Sequence, residues 1–272
     1  MVLPLGRSDD TIGILGCGRM GAAIGGHLLD AGTPLSVYDP VAEAMAPLVA
    51  RGARAGTGPA DVAGASAITF VVVVDDEQVR AVVPDAVAAA PTGAVVAICA
   101  SVRPDTCTAM AELGSARGVH VIDAALVRGE RGAEEGALVL YCGGDADAVE
   151  RVRAAGEPFT EAVVHVGAIG AGQVAKTANN ILLWACIRAD VEAQRLGRAL
   201  GVEPGMLRDA LALGSGANRP LAEWGKHRLR WPHKDLEVAL ALAAEAGVEL
   251  PFVSQLPRLM EELRVEDLHD LL

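Results

Sequence analysis

Residues 11–21 read TIGILGCGRMG. A short apolar run over residues 11–15 has the character of a buried strand, and a helical pattern follows to about residue 30. Between them Gly16, Cys17, Gly18, Arg19, Met20 and Gly21 form G-x-G-x-x-G. The same glycine spacing also occurs in plain structural turns. Here the context is specific: a strand before it, a helix after it, and an acid, Asp39, beyond the end of the next apolar run. In that setting Gly16 permits the tight turn, Gly18 lets the backbone approach a pyrophosphate, and Gly21 lets helix pack on strand. The first amides of the helix then face the phosphates. Asp39 is placed to accept the adenosine ribose hydroxyls, unless it is only a turn residue before Pro40. A carboxylate there repels a 2′-phosphate, so NAD is expected in preference to NADP.

Working outward, apolar runs at residues 35–38, 67–74, 94–100 and 119–122 alternate with alanine-rich helical stretches, and further runs follow at 137–142 and 162–166. Such alternation implies a parallel sheet with helices on both faces. From residue 170 the pattern is helical only. Pro204 and Pro251 stand at expected helix starts, and Gly201 and Gly247 at expected ends. The expectation is an α/β chain: a Rossmann-type doubly wound parallel sheet over residues 1–168, then an all-α domain over residues 169–272. A long helix joins them, opening in the glycine-rich turn at residues 167–172 and running to Gly197. Ile181, Leu182, Trp184, Ala185, Val191 and Leu196 make its central turns apolar, which predicts a well-buried helix.

Composition excludes several function classes. The formal charge of −12 argues against nucleic acid and anionic membranes as partners. No apolar run approaches the roughly 20 residues of a membrane span. Residues 1–10 carry proline and charge without an apolar core, and read as a loose leader, not a signal peptide. The five cysteines, Cys17, Cys99, Cys107, Cys142 and Cys186, show no C-x-x-C spacing and suit a reducing cytoplasm. The six histidines form no H-x-x-x-H pair, so no metal is expected.

Gln173, Lys176 and Asn180 share one face of the long helix. Such a trio is either a solvated stripe or, at the edge of a nucleotide-binding domain, a candidate acid/base with polar neighbours. Val74 ends the third apolar run and Asp75 follows it, on the sheet edge where a cofactor would lie; the acids there read more as caps of the next helix than as ligands. Ser101, after the fourth run, is a substrate or ribose ligand, or a helix cap before Pro104. The stretch at residues 123–138 carries three glycines between two apolar runs and reads as a loop at the sheet edge. Its Arg128 side chain and the backbone at Gly129 are candidates to hold a carboxylate, Arg128 otherwise being a surface residue.

Four stretches in order resemble the β-hydroxyacid dehydrogenase family, which includes 3-hydroxyisobutyrate dehydrogenase and tartronate semialdehyde reductase and, more distantly, 6-phosphogluconate dehydrogenase. They are G-x-G-x-M-G at Gly16, D-A-x-x-x-x-G-x-x-G-A-x-x-G-x-L from Asp123, G-x-G-x-x-x-K-x-x-N-N from Gly170 to Asn180, and K-D-L at Lys234. The resemblance implies that Lys176 is the catalytic acid/base and that Asn180 holds the substrate. It further implies that Lys234 reaches the nicotinamide end of the cofactor and that the helical half forms a homodimer. The chain departs from the family pattern at Ala125, Leu126, Val127 and Arg128, where P-V-S-G is usual, and at Asn218, where serine is common. The expected activity is hydride transfer between a nicotinamide cofactor and a small 3-hydroxy acid or its semialdehyde or keto acid. An imine reductase of the same architecture and a non-catalytic NAD-binding sensor are the alternatives.

Overall fold

The computed structural model describes residues 11–272; the leader expected at residues 1–10 lies outside them. The chain divides into two compact units, Met1–Lys176 and Thr177–Leu272. The first contains β1 (Ile12–Leu15), α1 (Arg19–Asp30), β2 (Leu35–Tyr38), α2 (Ala42–Val49), β3 (Arg54–Ala55), α3 (Pro59–Gly64), β4 (Ile68–Val71) and α4 (Asp76–Ala89). It continues through β5 (Val95–Ile98), α5 (Pro104–Ser115), β6 (His120–Val127), α6 (Gly129–Glu134), β7 (Leu138–Gly143), α7 (Ala146–Gly156) and β8 (Thr160–Gly167).

The strands form one sheet in the order β3-β2-β1-β4-β5-β6-β7-β8. Every residue of β1, β4 and β5 is buried, as strands covered on both faces must be. Alternate residues serve opposite faces. Ile14, Phe70 and Ala97 join one apolar core with Ile24 and Leu28 of α1, while Leu15, Val71 and Ile98 join another with Val79 and Val83 of α4. The chain leaves β1 to one side for β2 and β3, then returns to its other side for β4. That reversal opens a crevice beyond the carboxyl ends of β1 and β4, where this fold class binds ligands.

The sheet is not wholly parallel. β7 runs antiparallel to β6, with Val127 opposite Val139, and β8 is parallel to β7. The reason is chain length. Only residues 128–137 link β6 to β7, fewer than the dozen or so that a parallel crossover needs. The stretch read as a loop at the sheet edge is thus the end of β6 followed by the six-residue α6. Strand β3, two residues long, was not anticipated from the sequence.

A helix of 29 residues, α8 (Ala171–Ala199), follows, and the division at Lys176 falls inside it. The second unit adds α9 (Pro204–Leu211), α10 (Arg219–Ala222), α11 (Pro232–Glu245), α12 (Leu256–Glu261) and α13 (Val265–His269). Trp184, Ile187 and Val191 form the buried stripe of α8 and pack with Leu221, Trp224, Leu236, Leu256 and Leu268. Leu182 and Leu196 are exposed. The prediction of a well-buried helix therefore holds for one face only. Pro204 opens α9, and Gly201 and Gly247 follow α8 and α11 with positive φ. Pro251 starts a turn before the 3₁₀ segment Val253–Gln255, not an α-helix. Among the described residues no helix is long and apolar enough to cross a membrane.

Candidate active site

The glycine-rich turn sits at the carboxyl end of β1. Gly16 has φ +97°, and a Cβ there would lie 2.4 Å from the carbonyl of Val72. At Gly21 it would lie 1.9 Å from the carbonyl of Gly16, so only glycine lets α1 approach the strand. At Gly18 a Cβ would meet nothing within 4 Å. That open space lies over the N-terminus of α1, whose cap, Gly18, supplies no side-chain bond and whose first turn holds no acid. The arrangement fits a pyrophosphate. Asp39 closes the loop from β2: its carboxylate accepts the Cys17 N–H at 2.8 Å and the Val41 N–H at 2.9 Å. The Cys17 thiol is buried, and burial with the nearby Asp39 charge pushes its pKa up to about 12, so the residue offers its amide and not a thiolate. Met20 packs partly against the core. Arg19 projects from the first turn of α1 and pairs with Glu130 of α6 at 2.9 Å.

Val74 and Asp75 follow β4. Val74 is exposed, whereas Asp75 accepts the Gln78 N–H at 2.9 Å and so caps α4. The next acid, Asp76, accepts the Arg103 N–H at 3.0 Å and the Thr106 hydroxyl at 2.5 Å. It thereby ties down the loop after β5 that carries Ser101. Ser101 is not a helix cap; α5 starts at Pro104, capped by Arg103 without a side-chain bond. The Ser101 hydroxyl is instead hydrogen-bonded to the Lys176 amine.

Gln173, expected among the substrate ligands, is buried. Its Nε2 donates to the Ala100 carbonyl at 2.8 Å, and its Oε1 accepts the Val102 N–H at 3.2 Å. Those two bonds bracket Ser101, so Gln173 braces the loop that carries it. Asp123, not singled out from the sequence as a site residue, is fully buried in β6. Its carboxylate accepts the Gly170 N–H at 2.6 Å and the Gln173 N–H at 2.9 Å at the start of α8. Burial pushes its pKa up, while the amide bonds pull against that. The signal for it was present, an acid inside the otherwise apolar run of residues 121–127.

Two family models match the chain: the NAD binding domain of 6-phosphogluconate dehydrogenase over residues 11–167, and the NAD-binding of NADP-dependent 3-hydroxyisobutyrate dehydrogenase over residues 170–271. The chain belongs to the β-hydroxyacid dehydrogenase family. It is an NAD(P)-dependent hydroxyacid dehydrogenase, an oxidoreductase. An uncharacterized oxidoreductase of Mycobacterium tuberculosis is 34% identical over 267 residues, covering 88% of each chain. An NAD-dependent L-serine dehydrogenase of Pseudomonas aeruginosa is 33% identical over 224 residues, 81% of this chain and 74% of that one. The structure of Mycobacterium tuberculosis 3-hydroxyisobutyrate dehydrogenase with L-serine shares the fold at a TM-score of 0.86 and 24% identity, covering 96% of this chain and 99% of its own.

In this β-hydroxyacid dehydrogenase Arg128 does not stand free to meet a carboxylate. Its guanidinium pairs with both oxygens of Glu161, one at 2.6 Å, and donates to the Ala137 carbonyl at 3.1 Å. The antiparallel turn from β6 to β7 and the pairing of β8 beside β7 bring Glu161 there, which sequence spacing does not reveal. Glu130, two residues beyond Arg128, bonds Arg19. Gly129 opens α6 with φ +62°. In the second unit, Asn180 lies on α8 and accepts from Asn179 at 3.4 Å, and Lys234 is exposed in the first turn of α11. Asn218 caps α10 through the Leu221 N–H and donates to Asp190 at 2.9 Å, two bonds that a serine hydroxyl is too short to reproduce together.

Proposed function

We propose that this β-hydroxyacid dehydrogenase oxidises the alcohol of a small 3-hydroxy acid, or reduces the matching semialdehyde or keto acid, with NAD as preferred cofactor and Lys176 as acid/base. The observation that carries the reading is the Lys176 amine held against the Ser101 hydroxyl beside the sheet edge. The bound nicotinamide supplies the hydride acceptor or donor. Lys176 takes the proton of the substrate hydroxyl during oxidation and returns it to the carbonyl oxygen during reduction. An amine can do this near neutrality when its environment brings its pKa from about 10.4 towards about 7–8. Asn180, one helical turn beyond Lys176, orients the substrate, and Lys234 serves the nicotinamide end of the cofactor. Ser101 and the backbone at Gly129 are the candidates to meet the acid group. Val127 replaces the usual hydroxyl with apolar surface, which favours acids with apolar or extended substituents over the smallest, most hydroxylated ones. Asp39, which bonds no basic side chain among the described residues, supports NAD over NADP. The free cysteines suit a cytoplasmic enzyme, and the helical unit supports a homodimer.

The test is NADH formation with a panel of 3-hydroxy acids, followed by Lys176→Ala on the best of them. Turnover is expected to fall about 10²–10⁴-fold while NAD affinity holds. A folded mutant with a near-normal rate removes Lys176 from the chemistry. Tight NAD binding without turnover in the unmodified protein would favour a sensor.

A further inference from the structure

We propose that Asp123 and Gln173 are positioning residues for the reaction, a two-part clamp that sets where the Lys176 amine stands relative to Ser101. The inference rests on Lys176 as the acid/base proposed above. Its geometry comes entirely from the sheet-bearing unit, Met1–Lys176.

Helix α8 begins after Gly170, a residue with no side chain to cap it. The first amides of a helix need acceptors, and a buried start without them is unstable. Asp123 supplies them from 47 and 50 residues away, one carboxylate oxygen to the Gly170 N–H and the other to the Gln173 N–H. Using both oxygens on two amides fixes the rotation of the helix as well as its position. The fit is tight. A Cβ at Gly172 would lie 2.2 Å from the Tyr141 carbonyl and 2.6 Å from an Asp123 oxygen, so the helix start is seated directly against β7 and β6.

Gln173 is the second part. Its backbone is held by Asp123, and its side chain holds the backbone on either side of Ser101. Lys176 lies three residues further along the same helix, on the neighbouring position of that face. Asp123 therefore sets the helix, Gln173 sets the loop from that helix, and the Lys176–Ser101 hydrogen bond closes the circuit. Asp76 secures the far side of the loop through the Arg103 N–H. The acidic carboxylate is suited to its task because both of its partners are donors; an amide in its place would turn an NH₂ group towards an N–H.

The chain has only three lysines, Lys176, Lys226 and Lys234, so lysine labelled with ¹³C at Cε gives three resolvable signals, assigned by Lys→Arg variants. The variants are Asp123→Asn and Gln173→Met. The second keeps the length of the side chain and adds no charge near Lys176, but loses both bonds to the loop, and it serves if the first folds poorly. In each, NAD affinity should stay within about threefold, kcat should fall about 10–100-fold, and the Lys176 titration midpoint should drop as its ammonium loses a fixed acceptor. The Lys226 and Lys234 signals should titrate as before, which a general loss of structure would not allow. A folded Gln173→Met protein with unchanged kcat and an unchanged Lys176 midpoint overturns the clamp. If no hydroxy acid is turned over even by the unmodified protein, the proposed activity fails, and the lysine signals still decide the clamp alone.

Discussion

Arg128 holds φ at +83°, a left-handed conformation that costs a residue with a Cβ about 1 kcal/mol relative to glycine. The pair with Glu161 and the bond to Ala137 keep it there. Glu161 is more than half exposed, so the ion pair contributes at most about 1 kcal/mol. Arg128→Ala loses the pair and keeps the strain, whereas Arg128→Gly loses both. The glycine variant should therefore melt close to the unmodified protein and above the alanine variant, the reverse of the usual order for these two residues. Calorimetry reads this directly, and an alanine variant at least as stable as the glycine one would show that no strain is relieved. KM for the best acid should change less than about threefold in both variants; a rise of tenfold or more would put the guanidinium on the substrate. Asp39 carries the cofactor prediction at the same scale. The unmodified enzyme should prefer NAD, and Asp39→Ser with a basic residue placed beside it should move preference towards NADP; a native preference for NADP would refute the role given to this carboxylate. Lys176, Ser101 and Asp39 were legible as residue types in a motif context. The partners of Arg128 and Gln173 were not, because Glu161 and Ala100 meet them only through the register of distant strands.

At the scale of elements, Gly18 in the turn between β1 and α1 and Gly172 at the start of α8 are glycine for different reasons. A Cβ at Gly172 has no room, and its nearest neighbours are backbone and a buried carboxylate, neither able to swing aside. Gly172→Ala should destabilise the fold by several kcal/mol, on the scale of about 1–3 for overpacking plus the damage to the Asp123 bonds. Gly18 faces open space with φ −63°, which any residue adopts. Gly18→Ala should melt within about 2 °C of the unmodified protein yet bind NAD at least about tenfold more weakly, since the methyl occupies the space meant for the pyrophosphate. Equal affinity in that variant would move the phosphates elsewhere. Strands and helices of the sheet unit were readable because β1, β4 and β5 are continuous apolar runs bounded by turn residues. The reversal at β7 was not read from periodicity, which is the same for either strand direction. It was implicit in the ten residues that separate the two runs, a length too short for a crossover.

For the whole molecule, the proposed homodimer rests on what the helical unit buries and what it does not. Trp184 and Leu256, large apolar side chains of a small helical domain, are both buried within the unit. The exposed set is different. Leu196, Leu200, Met206 and Leu213 are 63%, 75%, 72% and 92% exposed, and they cluster in sequence from the last turns of α8 to just past α9. Burying an apolar side chain of this size contributes roughly 1.5–3 kcal/mol, so four of them on each of two copies contribute on the order of 12–24 kcal/mol if wholly covered. Association costs on the order of 4–15 kcal/mol, and a micromolar dimer needs about 8 kcal/mol of surplus. The two ranges overlap enough for a second copy of this chain to be a sufficient partner. Light scattering at micromolar concentration should then give twice the 27.9 kDa of one chain. Leu200→Glu and Leu213→Glu should each shift the equilibrium towards monomer, with the effect on NAD affinity small. Each copy carries a formal charge of −12, so the two repel at low ionic strength. Raising salt from about 0.01 to about 0.15 M shortens the screening length from roughly 30 to 8 Å and should tighten the dimer. A dimer held by ion pairs would loosen instead, and a protein that stays monomeric across that range would leave these leucines without the proposed partner.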